Sequence, residues 1–119
     1  MLVLMDTNAC IYVIKNRVDL LESLENAIEI KAEIAVLSEC VLEAKRLGLV
    51  ERKAFDRFVE SFKPRIVQGG RKSVDGAILN YSSKTDCAVC TGDAALIKKL
   101  RDKRVRVLLF RKGGTLELS

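Results

Sequence analysis

The chain is 119 residues long with 49% hydrophobic and 31% charged side chains, enough for one globular domain over residues 1–119 and no second. It contains no histidine and neither a G-x-G-x-x-G nor a G-x-x-x-x-G-K-[ST] stretch; Ser-His-Asp triads, Cys-His pairs, HExxH zinc sites and the common nucleotide-binding loops are therefore excluded or unsupported. The net charge of +5, from 21 Lys and Arg against 16 Asp and Glu, favours an anionic partner.

Leu2 to Met5 is an apolar run of the kind found in strands covered on both faces, and no basic stretch precedes it as in a signal peptide. Thr7 or Asn8 is expected to cap a helix reaching Lys15, and Asp19 to begin another with Leu21, Leu24 and Ile28 on one stripe. Ala32 to Leu37 returns to strand character. Ser38 is the expected N-cap of a helix that carries Glu43 and stops at Gly48. Phe55, Phe58, Val59 and Phe62 have amphipathic-helix spacing within Glu51 to Phe62, and Pro64 ends that helix.

Arg65 to Val67 is a brief strand, and Gly69 to Lys72 a loop. Ser73 then caps a helix with Val74, Ala77, Ile78 and Tyr81 inside. Cys87 to Cys90 reads as a strand, Asp93 to Asp102 as a helix and Val105 to Phe110 as a last apolar strand. Thr115 to Leu118 adds a short strand or frays. Strands alternate with helices throughout, which implies a three-layer α/β/α sandwich around a central, mainly parallel sheet of about five strands.

Ligands of open α/β sheets bind beyond the carboxyl ends of the strands, and four acids fall there. Asp6 follows the first strand. Asp93 follows Cys87 to Cys90 through Thr91 and Gly92. Glu43 lies a turn or so into the helix after the second strand, and Asp75 begins the helix after the glycine loop. Clustered carboxylates repel one another and normally need a cation, and all-oxygen ligation suits Mg²⁺ or Mn²⁺ rather than zinc. Such an ion supplies an activated water and charge neutralisation, which is what phosphodiester hydrolysis requires. Taken singly, Asp75 and Asp93 read as helix caps and Glu43 as a solvated helix residue; the pattern of four carries the reading. With four acids committed to metal, 21 basic residues would face 12 acidic ones, a bias that suits a polyanionic substrate.

At these residues the sequence resembles the PIN-domain nucleases. Leu4-Met5-Asp6-Thr7-Asn8 is similar to the family's opening strand with Asp-Thr-Asn. In Leu37-Ser38-Glu39-Cys40-Val41-Leu42-Glu43 the matching acid is Glu43, not Glu39. Ser73-Val74-Asp75-Gly76-Ala77-Ile78 and Val89-Cys90-Thr91-Gly92-Asp93 resemble the third and fourth segments. The family often has an apolar residue where Ala44-Lys45 stands, an asparagine at Gly92 and a second Asp at Gly76. The resemblance implies a cytoplasmic, Mg²⁺- or Mn²⁺-dependent endoribonuclease. Asp6, Glu43, Asp75 and Asp93 would be its catalytic and metal-holding acids, and Asn8 and Thr91 would orient them. It also implies RNA as partner, a homodimer, and either RNA maturation or the toxin half of a toxin–antitoxin pair, with an antitoxin protein as partner in the second setting. A catalytically silent RNA- or protein-binding module of the same fold is the alternative.

The remaining features have bland readings beside the functional one. Cys10, Cys40, Cys87 and Cys90 are expected as reduced core thiols, and the two ends of Cys87-x-x-Cys90 should point to opposite faces of a strand. Lys98, Lys99, Arg101, Lys103, Arg104 and Arg106 form a basic run, ordinarily a solvated surface. The loop pairs Arg71-Lys72 and Arg111-Lys112 are better placed to bind substrate phosphates. The two Tyr and four Phe leave little for base stacking, and the Phe55 stripe reads as core or, if partly exposed, a dimer surface. No apolar stretch of about 18 residues occurs, so no membrane association is expected.

Overall fold

The computed structural model describes residues 1–112 and 114–119. Strand β1 (Leu2–Met5) leads into helix α1 (Thr7–Lys15) and helix α2 (Leu20–Ile28). Strand β2 (Glu33–Leu37) is followed by α3 (Ser38–Ala44), α4 (Leu49–Phe62) and strand β3 (Arg65–Val67). Then come α5 (Val74–Lys84), β4 (Ala88–Cys90), α6 (Ala94–Asp102), β5 (Arg106–Phe110) and β6 (Leu116–Leu118).

Among the described residues six strands form one sheet in the order β3-β2-β1-β4-β5-β6. The first five run parallel, and β6 pairs antiparallel with β5. The sheet therefore has one strand more than the five expected. Leu116 to Leu118 pairs because its apolar residues meet Leu108 and Phe110 in register, with the Arg111 N–H bonded to the Thr115 carbonyl at 2.7 Å.

Val3, Leu4, Met5, Ala35, Val36, Leu37 and all of β4 are fully buried. Successive strand residues point to opposite faces, so burial without alternation means that helices cover both sides of the sheet. Phe55 and Phe58 of α4 are also fully buried and Val59 and Phe62 half-buried, so that stripe is core. Burying side chains of this size contributes about 1.5–3 kcal/mol each. No helix of the described residues is long and apolar enough to cross a membrane.

Four helix boundaries differ from expectation. Asp6, not Thr7 or Asn8, occupies the N-cap of α1, its side chain accepting the Thr7 N–H. Ser38 is the first helical residue of α3, and Leu37 in the cap position offers no side-chain bond. That helix stops at Ala44, and Gly48 serves instead as N-cap of α4, which starts two residues before Glu51. Asp19 and Ser73 cap α2 and α5 as expected, accepting the N–H groups of Glu22 and Gly76.

Candidate active site

The chain goes from β1 to β2 to β3 on one side, then crosses to β4 and β5 on the other. The strand order thus reverses at the β1–β4 seam, the place where an open parallel sheet leaves a crevice at its carboxyl edge. Asp6 stands there. Its backbone N–H still bonds to the Cys90 carbonyl at 3.0 Å, so the residue is locked to both central strands.

The Asp6 side chain is only 6% exposed. One carboxylate oxygen accepts the Thr7 N–H at 2.7 Å, and the other accepts the Thr91 hydroxyl at 2.9 Å. The Thr91 oxygen in turn accepts the Asp93 N–H at 3.2 Å. Burial holds the Asp6 carboxyl above its ordinary value of 3.8. The bonds from Thr91 and Thr7 oppose that rise, and the charges of Glu43 and Asp75 add to it. Below Asp6, the Thr7 hydroxyl is fully buried beside the Cys40 thiol and has no hydrogen-bonding oxygen or nitrogen among the described residues.

The four expected acids do not share one cavity. Glu43 and Asp75 both line a cleft of about 890 Å³, together with Glu39, Arg46, Arg71 and Lys72. Asp93 borders a second cavity of about 720 Å³ together with Asn8, Thr91 and Arg111. Asp6 is the link, coupled by charge to the first pair and through Thr91 to the backbone of Asp93. Asp93 also caps α6, one oxygen accepting the Leu96 N–H at 3.1 Å. As the side chains stand, no three acids of the described residues are grouped closely enough to enclose an ion. Among those residues, however, the side-chain bonds to carboxylates at this edge end on Asp6, Glu39 and Asp93, leaving the Glu43 and Asp75 oxygens unengaged. Carboxylate oxygens are the donor type that hard divalent cations such as Mg²⁺ and Mn²⁺ take.

Sequence reasoning missed Glu39, because its partner lies about 30 residues away and has no local signature. Its carboxylate accepts the backbone N–H groups of Gly69 (3.0 and 3.1 Å), Gly70 (2.8 Å) and Arg71 (3.3 Å), and the Ser38 hydroxyl at 3.1 Å. Consecutive backbone N–H groups form a concave anion seat, here filled by the chain's own carboxylate. Asn80 holds the same loop from α5, donating to the Gly69 carbonyl at 2.6 Å. Glu39 thus ties α3, which carries Glu43, to the loop that delivers Asp75.

Desolvation raises the Glu39 carboxyl, but the bonds from Gly69, Arg71 and Ser38 outweigh it and hold the group below its ordinary 4.5. A carboxyl lowered in the folded state stabilises above its unfolded value, and that contribution is lost as pH falls through the folded value. Glu39→Gln is therefore expected to cost about 1–2 kcal/mol at pH 7. The gap from wild type should narrow as melts are repeated from about pH 5 down to pH 3; a pH-independent gap would contradict the carboxylate's role.

Arg71 and Lys72 line the Glu43–Asp75 cleft, and Arg111 the Asp93 cavity, although Arg111 also pairs with Glu117 at 2.5 Å. Lys112 is exposed in the connection to β6. Lys103, Arg104 and Arg106 border a hollow with Thr85 and Cys87, at the amino ends of β4 and β5 and so at the opposite edge of the sheet. Among the described residues all four cysteines are free and buried. Burial pushes Cys40 up to about 12 and Cys87 up to about 11, so these thiols stay protonated at neutral pH and pack as small apolar groups.

No protein-family profile matches the chain. It is 30% identical to Ribonuclease VapC4 of Methanocaldococcus jannaschii over 121 aligned positions, which cover 95% of this chain and 92% of the relative. The chain belongs to the PIN-domain ribonucleases. The fold agrees: the PIN domain endonuclease Utp24 superposes with a TM-score of 0.85 at 20% identity, covering 99% of this chain and 90% of that one.

Proposed function

We propose that the protein is a divalent-metal-dependent endoribonuclease in which Asp6, Glu43, Asp75 and Asp93 hold Mg²⁺ or Mn²⁺ at the carboxyl edge of the sheet. The observation that carries this is the buried Asp6 carboxylate, kept under charge stress by Glu43 and Asp75 at the point where the strand order reverses. An acid held in that way is costly unless something positive relieves it.

When bound, the ion supplies an activated water and neutralises charge on the scissile phosphate. The chain's own residues do the rest. Thr91 orients Asp6 and, through its oxygen, the Asp93 backbone; the Glu39 anchor ties the helix that carries Glu43 to the loop that leads into Asp75. Asn8 is exposed and lines the same cavity as Thr91, where its side-chain amide would hydrogen-bond substrate. Arg46, Arg71 and Lys72 give the first cleft a positive wall for the RNA backbone.

The proposal extends to a cytoplasmic protein that is one domain over residues 1–119, forms a homodimer and acts in RNA maturation or as a toxin partnered by an antitoxin protein. The test joins a melt to a cleavage assay. Millimolar Mg²⁺ or Mn²⁺ should raise the wild-type melting temperature by several degrees over chelator, and raise that of Asp93→Asn less. Cleavage of single-stranded RNA should depend on the same ion. Cleavage persisting in chelator, or an equal thermal shift in the variant, would overturn the assignment.

A further inference from the structure

The cavity beside Asp93 has a feature that the acid cluster does not need. Tyr12 of α1 and Phe110 at the end of β5 stack there, their ring centroids 4.4 Å apart and their planes inclined by 30°. Both rings are half-buried and both line the cavity, so part of each faces open space. Ala9, Ala94 and Ile97 extend the apolar surface, while Asn8, Thr91 and Arg111 supply hydrogen-bonding groups at its margin. At Gly92 a Cβ would meet nothing within 4 Å, so the margin next to Asp93 is unobstructed.

A volume of about 720 Å³ with apolar, aromatic walls and a few convergent polar groups is the make-up of a small-molecule-sized subsite. The neighbouring cleft differs: among the described residues its lining is mostly charged, with Arg46, Arg71 and Lys72 beside three acids, and holds Leu42 and Val74 but no aromatic ring. One hollow therefore suits a charged backbone and the other a flat, hydrogen-bonding ring, and the Asp6–Thr91 pair lies between them. Bases of unpaired RNA are such rings, and aromatic faces hold them whatever their sequence.

We propose that this cavity is a nucleobase subsite, in which an unpaired base flanking the cut phosphate lies against the Tyr12–Phe110 pair. The assignment rests on the nuclease reading for its substrate class, but its test does not depend on cleavage. Asp6→Asn protein is titrated with short single-stranded RNA carrying one 2-aminopurine, whose emission falls when it stacks. The label is moved along the strand, and binding is followed in parallel by anisotropy.

Emission should fall at one or two label positions and stay high elsewhere. Phe110→Leu and Tyr12→Leu, which keep apolar volume, should each weaken binding about tenfold and restore the emission. Arg71→Ala should weaken binding while leaving the quenching of bound RNA intact. Melting curves identify any ring variant that fails to fold; in that event an abasic spacer at the quenched position, tested on protein with both rings, should reproduce the tenfold loss. Binding with undiminished emission at every position, or no binding of any labelled strand, overturns the subsite. Quenching by the variant, together with a wild-type protein that cuts no RNA in Mg²⁺ or Mn²⁺, would sink the nuclease proposal and leave the subsite standing.

Discussion

Replacing Asp6 with asparagine is expected to lower RNA cleavage by at least about a hundredfold and, in chelator, to raise the melting temperature. The two effects share one cause. The folded-state carboxyl of Asp6 is raised by burial and by its acidic neighbours, so its ionised form destabilises the fold at neutral pH. A carboxyl raised in this way gives its favourable contribution only below the unfolded value and loses it as pH rises through the folded one. Asparagine removes the charge and keeps an oxygen for the Thr7 N–H. Its amide meets the Thr91 oxygen, and the hydroxyl has to turn its proton elsewhere. The variant should be the more stable of the two at pH 7, and its lead should shrink at pH 4, closer to the ordinary carboxyl value of 3.8 and so to the range where the wild-type carboxyl takes up its proton. Melts of both proteins in chelator at the two pH values check this. A lower melting temperature for the variant at pH 7 would mean that the two hydrogen bonds to Asp6 outweigh its charge stress.

The second large effect is expected at the loop that Glu39 anchors. A Cβ on Gly69 would stand 2.5 Å from the Ala77 Cβ, 2.7 Å from the Ala77 carbonyl oxygen and 2.8 Å from its Cα. Two of those atoms belong to the backbone of α5 and cannot rotate away, so the loop and the helix must separate. Overpacking of this kind typically costs 1–3 kcal/mol, and the shift also threatens the N–H bonds to Glu39 and the Asn80 contact. Gly69→Ala should therefore lose about 3 kcal/mol in chemical denaturation and lower cleavage by moving Asp75 away from Glu43. Gly92→Ala is the control, because its added methyl meets open space. Equal stability of Gly69→Ala and wild type would show that α5 can slide without cost.

Much of the fold is legible locally. The unbroken apolar runs Leu2–Met5 and Ile34–Leu37 announce doubly covered strands, and Asp19 and Ser73 announce helix starts. What was not legible depends on tertiary partners. Lys45 to Leu47 has ordinary helix-forming residues, so nothing local stops α3 at Ala44; the chain leaves the helix there because α4 must begin at Gly48 to seat Phe55 and Phe58 in the core. The order of the acids along the edge follows from strand alternation, but their division between two clefts does not, since it depends on how α3, α5 and α6 lean on the sheet. The Glu39 seat and the Tyr12–Phe110 stack each join residues remote in the chain, and single-sequence spacing carries no trace of either.

The bond from Thr91 to Asp6 closes a loop of 85 residues, and β1 has no neighbour on that side until Ala88–Cys90 has been made and paired. Contacts of such long range form late, because the chain must give up loop entropy before any pairing repays it. A growing or half-unfolded polypeptide can hold β1, β2 and β3 together and still lack the Asp6–Thr91 contact. Whatever chemistry this edge performs is therefore withheld until nearly the whole sheet has closed, which shields a cell that makes the enzyme from fragments that cut.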